Sequence, residues 1–177
     1  MIALEVPSSL DASRIRLTIH AENEGPMAAL MQAPVLSVND FSVGIDERQD
    51  GGWEISAKAP VAGLRVIWPD VAEKDKANIE RLVRETLLQG VTHPIASFEG
   101  DLRAPENGSS LLRVTGTLRL RGQARPVEVV FREESAEWVG RLTIRQTDFG
   151  IAPVSAFLGA LRSRDEVTLE FRVRLKA

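Results

Sequence analysis

The sequence predicts a mainly β protein, a closed antiparallel β-barrel of about eight strands carrying one helix. Three observations lead there. Apolar and polar residues alternate with a period of two in segment after segment. Glycine-containing turn signals separate several of these segments. Only one stretch, residues 73–89, keeps a helical spacing of apolar residues without Pro or Gly.

In chain order, a first strand is expected over about 13–20, with Ile15, Leu17 and Ile19 on one face and Arg16, Thr18 and His20 on the other. The connection over 25–34 is unusually apolar, through Met27, Leu30 and Met31 above all. A second strand, 35–46, alternates Phe41, Val43 and Ile45 with Ser42, Gly44 and Asp46. Asp50-Gly51-Gly52 supplies the positive φ of a hairpin turn into a strand over 52–59, and residues 62–67 either extend that strand or form a short one. The helix 73–89 places Ile79, Leu82, Val83, Thr86 and Leu87 at helical spacing, with Gly90 as its stop.

The second half repeats the alternation. Strands are expected over 94–103, 110–121, 125–132, 138–147 and 166–176. Asn107-Gly108 turns the chain before the second of these, and Gly122-Gln123 makes a tight turn after it. Leu112, Val114, Gly116, Leu118 and Leu120 share one face, as do Val127, Val129 and Phe131, then Leu142 and Ile144. The last strand alternates Val167, Leu169, Phe171, Val173 and Leu175 with Thr168, Glu170, Arg172, Arg174 and Lys176. Residues 153–163, from Pro153 through Phe157, Leu158 and Leu161, read as a short apolar loop or helix.

Strands with one dry and one wet face are those of an antiparallel sheet, and closure is the arrangement that abolishes exposed edges. A two-layer sandwich explains the same alternation. The apolar connections favour a barrel, because loops normally run over the surface and are polar. With about eight strands, the interior has room for side chains or for one small ligand. The candidate lining is Leu17, Ile19, Met27, Leu30, Met31, Phe41, Val43, Phe98, Leu118, Leu120, Val129, Phe131, Leu142, Ile144, Phe157 and Phe171. The same residues would fill a packed core, and the sequence leaves both readings open.

Composition narrows the function. At 177 residues, 44% hydrophobic and 27% charged, the chain is an ordinary globular length for a single domain over 1–177. A net charge of -3 does not suit electrostatic capture of nucleic acid. The absence of cysteine removes disulfides and thiolate chemistry. The residues after Met1 lack a basic n-region and an apolar run, so the expected compartment is cytoplasmic, or periplasmic if the natural protein starts earlier.

No nucleophile elbow, phosphate loop, dinucleotide fingerprint or metal-ligand spacing is present, so no catalytic residue, metal or cofactor is expected. His93, before Pro94, reads as a structural turn residue, whereas His20 could meet a polar head group near a mouth. Asp148 in Thr-Asp-Phe-Gly reads as a turn-capping acceptor. Arg119, Arg121, Arg172, Arg174 and Lys176 form cationic rows, either solvated and paired with Glu128 and Glu170 or suited to contact with an anionic membrane. Among the tryptophans, Trp68 before Pro69 is the candidate for a rim position. The long apolar loop 153–161 could equally meet a second subunit, as a homodimer, or close a pocket.

The segment 115–131, Thr-Gly-Thr-Leu-Arg-Leu-Arg-Gly-Gln-Ala-Arg-Pro-Val-Glu-Val-Val-Phe, resembles the YceI-like family of polyisoprenoid-binding proteins. Thr92-His93-Pro94-Ile95-Ala96-Ser97-Phe98, Arg145-Gln146-Thr147-Asp148-Phe149-Gly150-Ile151 and Glu166-Val167-Thr168-Leu169-Glu170-Phe171 resemble further family segments in the same order. The likeness covers most of 90–177 in letters and the N-terminal half in layout, where Ser13 and His20 stand near family positions. It implies a lipocalin-like fold and non-catalytic binding of an elongated apolar or amphiphilic lipid, such as a polyisoprenoid, for carriage, storage or sensing. The alternative is a protein-interaction module with a filled core.

Overall fold

A computed structural model of the chain describes residues 6–103 and 110–175. The N-terminal half contributes β1 (Ser9–Asp11), β2 (Ile15–His20), β3 (Asn23–Glu24), β4 (Val35–Val38), β5 (Ser42–Glu47), β6 (Trp53–Pro60) and β7 (Leu64–Val66). After a helical segment come β8 (Ile95–Arg103), β9 (Leu111–Leu120), β10 (Gln123–Glu134), β11 (Glu137–Arg145), β12 (Ser155–Ala156), β13 (Leu161–Ser163) and β14 (Glu166–Val173). The Asn107-Gly108 turn and Lys176 lie outside the described residues.

Eleven strands form one antiparallel sheet in the order β1-β5-β6-β8-β9-β10-β11-β14-β2-β4-β7, and β12, β13 and β3 form a small second sheet. The expected closed ring of eight strands is therefore corrected: the sheet is a strongly curled half-barrel with two ends. The reason lies in two kinks. Residues 35–46 do not run straight, because Asp40 adopts φ 59 and divides β4 from β5. Opposite it, a turn at Val61–Gly63 divides β6 from β7. Gly63 fits there because its backbone lies against Asn39, whose amide donates to the Gly63 carbonyl at 3.1 Å. One long hairpin thus becomes two ladders, β5 with β6 and β4 with β7. The sequence offered residues 62–67 as a short strand of their own, which β7 matches, but foresaw neither the break at Asp40 nor β1.

The edge at β7 is covered. The helix α1 (Glu73–Arg81) begins with Glu73 and Asp75 and ends with Arg81, which suits its dipole. Beyond Arg81 the expected helix 73–89 widens into a π-helical turn, Leu82–Leu87. From it, the Arg84 guanidinium reaches the Leu64 carbonyl, and Glu80 accepts the Val66 amide at 2.9 Å. Arg84 and Glu80 also pair with each other at 2.9 Å. The free backbone groups of the edge strand are satisfied by side chains, which stops further pairing there.

Of the two readings of residues 153–163, the structure has the loop. These residues make the hairpin β12–β13 around a 3-10 turn at Phe157–Gly159, because Phe157, Leu158 and Gly159 all take positive φ. The tight turn after β9 sits at Arg121-Gly122, with φ 51 and 73, one residue earlier than expected. His93 packs on Gly122, as a structural turn residue should: a Cβ there would meet the imidazole at 2.8 Å.

Alternation dictates the interior. Leu17, Phe171, Gly140, Phe131 and Leu112 lie side by side across five strands. Gly140 leaves room for the Phe131 ring, whose centroid lies 6.1 Å from that of Phe171. Farther along, Gly100 pairs with Gly116, and the Phe98 ring lies over both.

Candidate ligand-binding cavity

All eleven strands of the main sheet contribute inward side chains to one cavity of about 570 Å³, within the roughly 300–1,000 Å³ of ligand sites. One end is packed shut. Leu10, Ile15, Ile45, Ile55, Leu102, Leu112 and Val173 are buried there, with Trp53 and Trp138 against them. Toward the other end the inward residues, among them Leu118, Leu142, Ile144, Val167 and Leu169, keep accessible surface because they face open space.

The open end is framed by three segments. The helical segment contributes Ile79, Leu82, Val83 and Leu87, so the spacing read in the sequence marks a cavity-facing stripe. The loop 21–34 contributes Asn23, Met31, Gln32 and Pro34, and the loop 146–163 contributes Gln146, Ile151, Val154, Ala156 and Leu161. The last two are tied together: β3 pairs with β13, and the Met27 amide donates to the Ala160 carbonyl at 3.0 Å. Trp68 takes the rim position, its indole N–H donating to Gln32 Oε1 at 2.9 Å.

Most of the expected lining is brought together. Leu17, Ile19, Met31, Phe41, Val43, Phe98, Leu118, Leu120, Val129, Phe131, Leu142, Ile144 and Phe171 line the cavity. Met27, Leu30 and Phe157 do not, which corrects the expectation for them. Leu30 and Phe157 are turned to solvent, 78% and 58% exposed, because short turns aim them outward. Leu36, Val38, Leu64 and Val114 belong to the lining and were passed over, although for Val114 the alternation already marked the inward face.

The few polar groups of the lining are largely spent on the protein itself. Asn23 Nδ2 donates to the Met31 carbonyl at 3.0 Å, and Gln146 Nε2 donates to the Arg164 carbonyl at 2.8 Å and to Ser163 Oγ at 3.2 Å. They fasten loops rather than await a partner. Among the described residues, no Asp, Glu or His lines the cavity, and Lys58 is the one charged residue that does. Among the described residues, no three His, Asp or Glu side chains gather closely enough for a metal ion.

The turn behind the mouth is organised by Asp165, not by Asp148. Asp165 accepts from the Thr147 amide at 2.8 Å and from the Thr147 hydroxyl at 2.7 Å, with Arg145 at 3.2 Å. These bonds, the Thr147 hydroxyl first, hold its carboxyl below the ordinary aspartate value. Asp148 makes no such bond among the described residues. A lowered folded value means that Asp165 stabilises the fold fully above the unfolded value, near pH 4, and stops doing so as pH falls through the folded one. Asp165→Asn is expected to lower the urea midpoint at about pH 7, the gap to the wild type closing toward about pH 3. An unchanged gap across that range refutes this assignment.

On the outer face one of the two cationic rows, Arg172 and Arg174 of the last strand, is paired. Glu137 faces Arg16, Arg172 and Arg174, and Glu170 faces Arg141 and Arg172. Arg174 chiefly holds Glu137 below its ordinary value. For Glu170, burial opposes ionisation, but the bonds from Arg172 and Arg141 outweigh it and its value is lowered too. Glu128 pairs with Arg113. Arg119 and Arg121 have no ion pair among the described residues.

A curled antiparallel sheet around an apolar cavity, open at one end, defines a lipocalin-like protein. The family model of the YceI-like domain matches residues 11–175, and the chain belongs to that family. BcnA of Burkholderia cenocepacia has the same fold, with a TM-score of 0.60 at 19% identity over 90% of this chain and 94% of that one. A polyisoprenoid binding domain from Saccharophagus degradans, implicated in plant cell wall breakdown, gives 0.59 at 14% over 93% and 95%. The YceI protein of Campylobacter jejuni gives 0.51 at 14% over 78% and 81%. Among curated proteins none matches the sequence.

Proposed function

We propose that the protein binds one elongated apolar or amphiphilic lipid of isoprenoid type inside the half-barrel, for carriage, storage or sensing, and performs no chemistry on it. The observation that carries this is the cavity of about 570 Å³ with an almost wholly apolar lining. At roughly 24 cal/mol per Å³, a dry void of that volume would cost on the order of 10 kcal/mol, comparable with the entire stability of a domain. Water is a poor filler, since an ordered water needs polar partners and the lining amides are engaged elsewhere. An apolar guest removes the cost.

Family membership and the polyisoprenoid-binding relative support the same reading. Catalysis would need an acid, base or nucleophile beside the guest, and among the described residues the lining offers no carboxylate or imidazole. A filled-core interaction module would need a packed interior, which the cavity argues against. The test is extraction of purified, undenatured protein into organic solvent, followed by mass spectrometry. A stoichiometric apolar compound is the expected result. Finding none, with no uptake of a fluorescent apolar probe, would overturn the proposal.

A further inference from the structure

Among the described residues, the large apolar side chains that stand exposed are confined to one end of the molecule. Leu30, Met31, Ile67, Leu82, Phe157 and Leu158 stand in solvent, and Val91 and Ile95 do so in the chain entering β8. Met31 and Leu82 also line the cavity. Leu30 lies in the loop bonded to the Phe157–Leu158 turn, and the Ile67 amide donates to the Val35 carbonyl beside it. The turns of the opposite end, 11–14, 48–52 and 133–136, carry no large apolar residue. Solvated apolar groups scattered singly need no explanation, whereas a ring of them around one opening does.

Two features bear on what covers that ring. Phe157 and Leu158 adopt φ 51 and 54, a conformation that bulky residues rarely take, and Leu158 is fully exposed. The β12–β13 ladder and the bond from the Ala160 amide to the Phe157 carbonyl hold them there. Beside the mouth, the tip of the β9–β10 hairpin carries Arg119, Arg121 and Arg125, which have no ion pair among the described residues, while Glu22, Glu24 and Asp165 at the rim are each paired with an arginine. Asp148 and Glu166 offset part of that positive charge, and the helical side of the mouth carries Asp70, Asp75 and Glu85 together with Lys74 and Arg81.

We infer that this end docks on a lipid bilayer surface, Phe157 and Leu158 entering the interface while the hairpin arginines meet anionic headgroups. The inference rests on the reading of the cavity as a lipid site, for a bilayer continuous with the mouth lets an apolar guest pass without crossing water. A second copy fits less well, because a symmetric pair would bring like-charged hairpin tips together. No described helix is long and apolar enough to cross a membrane, so the contact is peripheral.

The experiment is flotation of the full chain with phosphatidylcholine vesicles, with and without phosphatidylglycerol. The wild type is expected to float, more strongly with phosphatidylglycerol and less so in high salt. Phe157→Ser combined with Leu158→Ser should weaken flotation by about tenfold or more, and Arg119→Gln with Arg121→Gln should remove only the phosphatidylglycerol gain. Wild-type flotation no better than that of the serine variant overturns the inference. So does a wild-type dimer that the serine changes dissociate, which would make a second copy the occupant. The serine variant should still take up a fluorescent apolar probe in solution. Loss of probe binding in the wild type with flotation intact would instead refute the cavity reading alone.

Discussion

Leu169→Asp is expected to weaken binding of a fluorescent apolar probe by at least about a hundredfold, roughly 3 kcal/mol. Leu169 lies in register between Leu142 of β11 and Ile19 of β2, and all three line the cavity. Its register neighbours Leu142, Ile19 and Leu36 offer a carboxylate no cation, and its short stem cannot carry the charge out through the mouth. It must be desolvated or protonated whenever an apolar guest is bound, and either costs affinity. Leu169→Ala removes contacts without adding a charge and should cost about tenfold or less. Circular dichroism establishes that both variants fold. A folded Asp variant that binds the probe within about twofold of wild type would show that the guest does not occupy this layer.

Gly116→Ala is expected to destabilise the fold by about 3 kcal/mol, lowering Tm by roughly 10 °C. A methyl at Gly116 would meet the Phe98 Cζ and the Gly100 Cα, each at 2.6 Å, and would press on the Glu99 carbonyl oxygen. Two of these neighbours are strand backbone and cannot rotate aside. Phe98→Leu in the same chain should therefore restore only part of the loss. The comparison is Gly44→Ala in β5, where the added methyl meets the Ser56 hydroxyl at 3.0 Å. That group can turn away, and a change within about 1 kcal/mol is expected. Thermal unfolding followed by circular dichroism measures all three. Equal effects at Gly44 and Gly116 would mean that the Gly100–Gly116 approach is not a tight one.

Much of the site was legible as alternation. A period of two names the inward face of a strand with no knowledge of its neighbours, and it placed Leu118, Leu120, Val129, Phe131, Leu142, Ile144 and Phe171 on the cavity. It failed in the connections. Met27, Leu30 and Phe157 read as lining because they are apolar, yet a loop has no period to give direction, and the short turns at Ala28–Leu30 and Phe157–Gly159 decide their aim. The reading of Asp148 failed for a related cause. The capping acceptor for its turn comes from Asp165 on the far side of a hairpin, a partner that no local pattern names.

By itself the sequence determined the strand-rich character, the hairpin turns, the inward faces and membership of the YceI-like family, because these follow from short-range periodicity, turn chemistry and motif order. Only the tertiary structure decided how the sheet ends and where the cavity opens. Whether eight alternating segments close into a ring depends on kinks such as those at Asp40 and Gly63, and on a helix that satisfies the free edge of β7 through Arg84 and Glu80. Those are long-range hydrogen-bonding constraints between segments distant along the chain. The same packing leaves the lumen void at one end and sealed at the other, since the sizes of facing residues, and not their polarity, set how far side chains fill it.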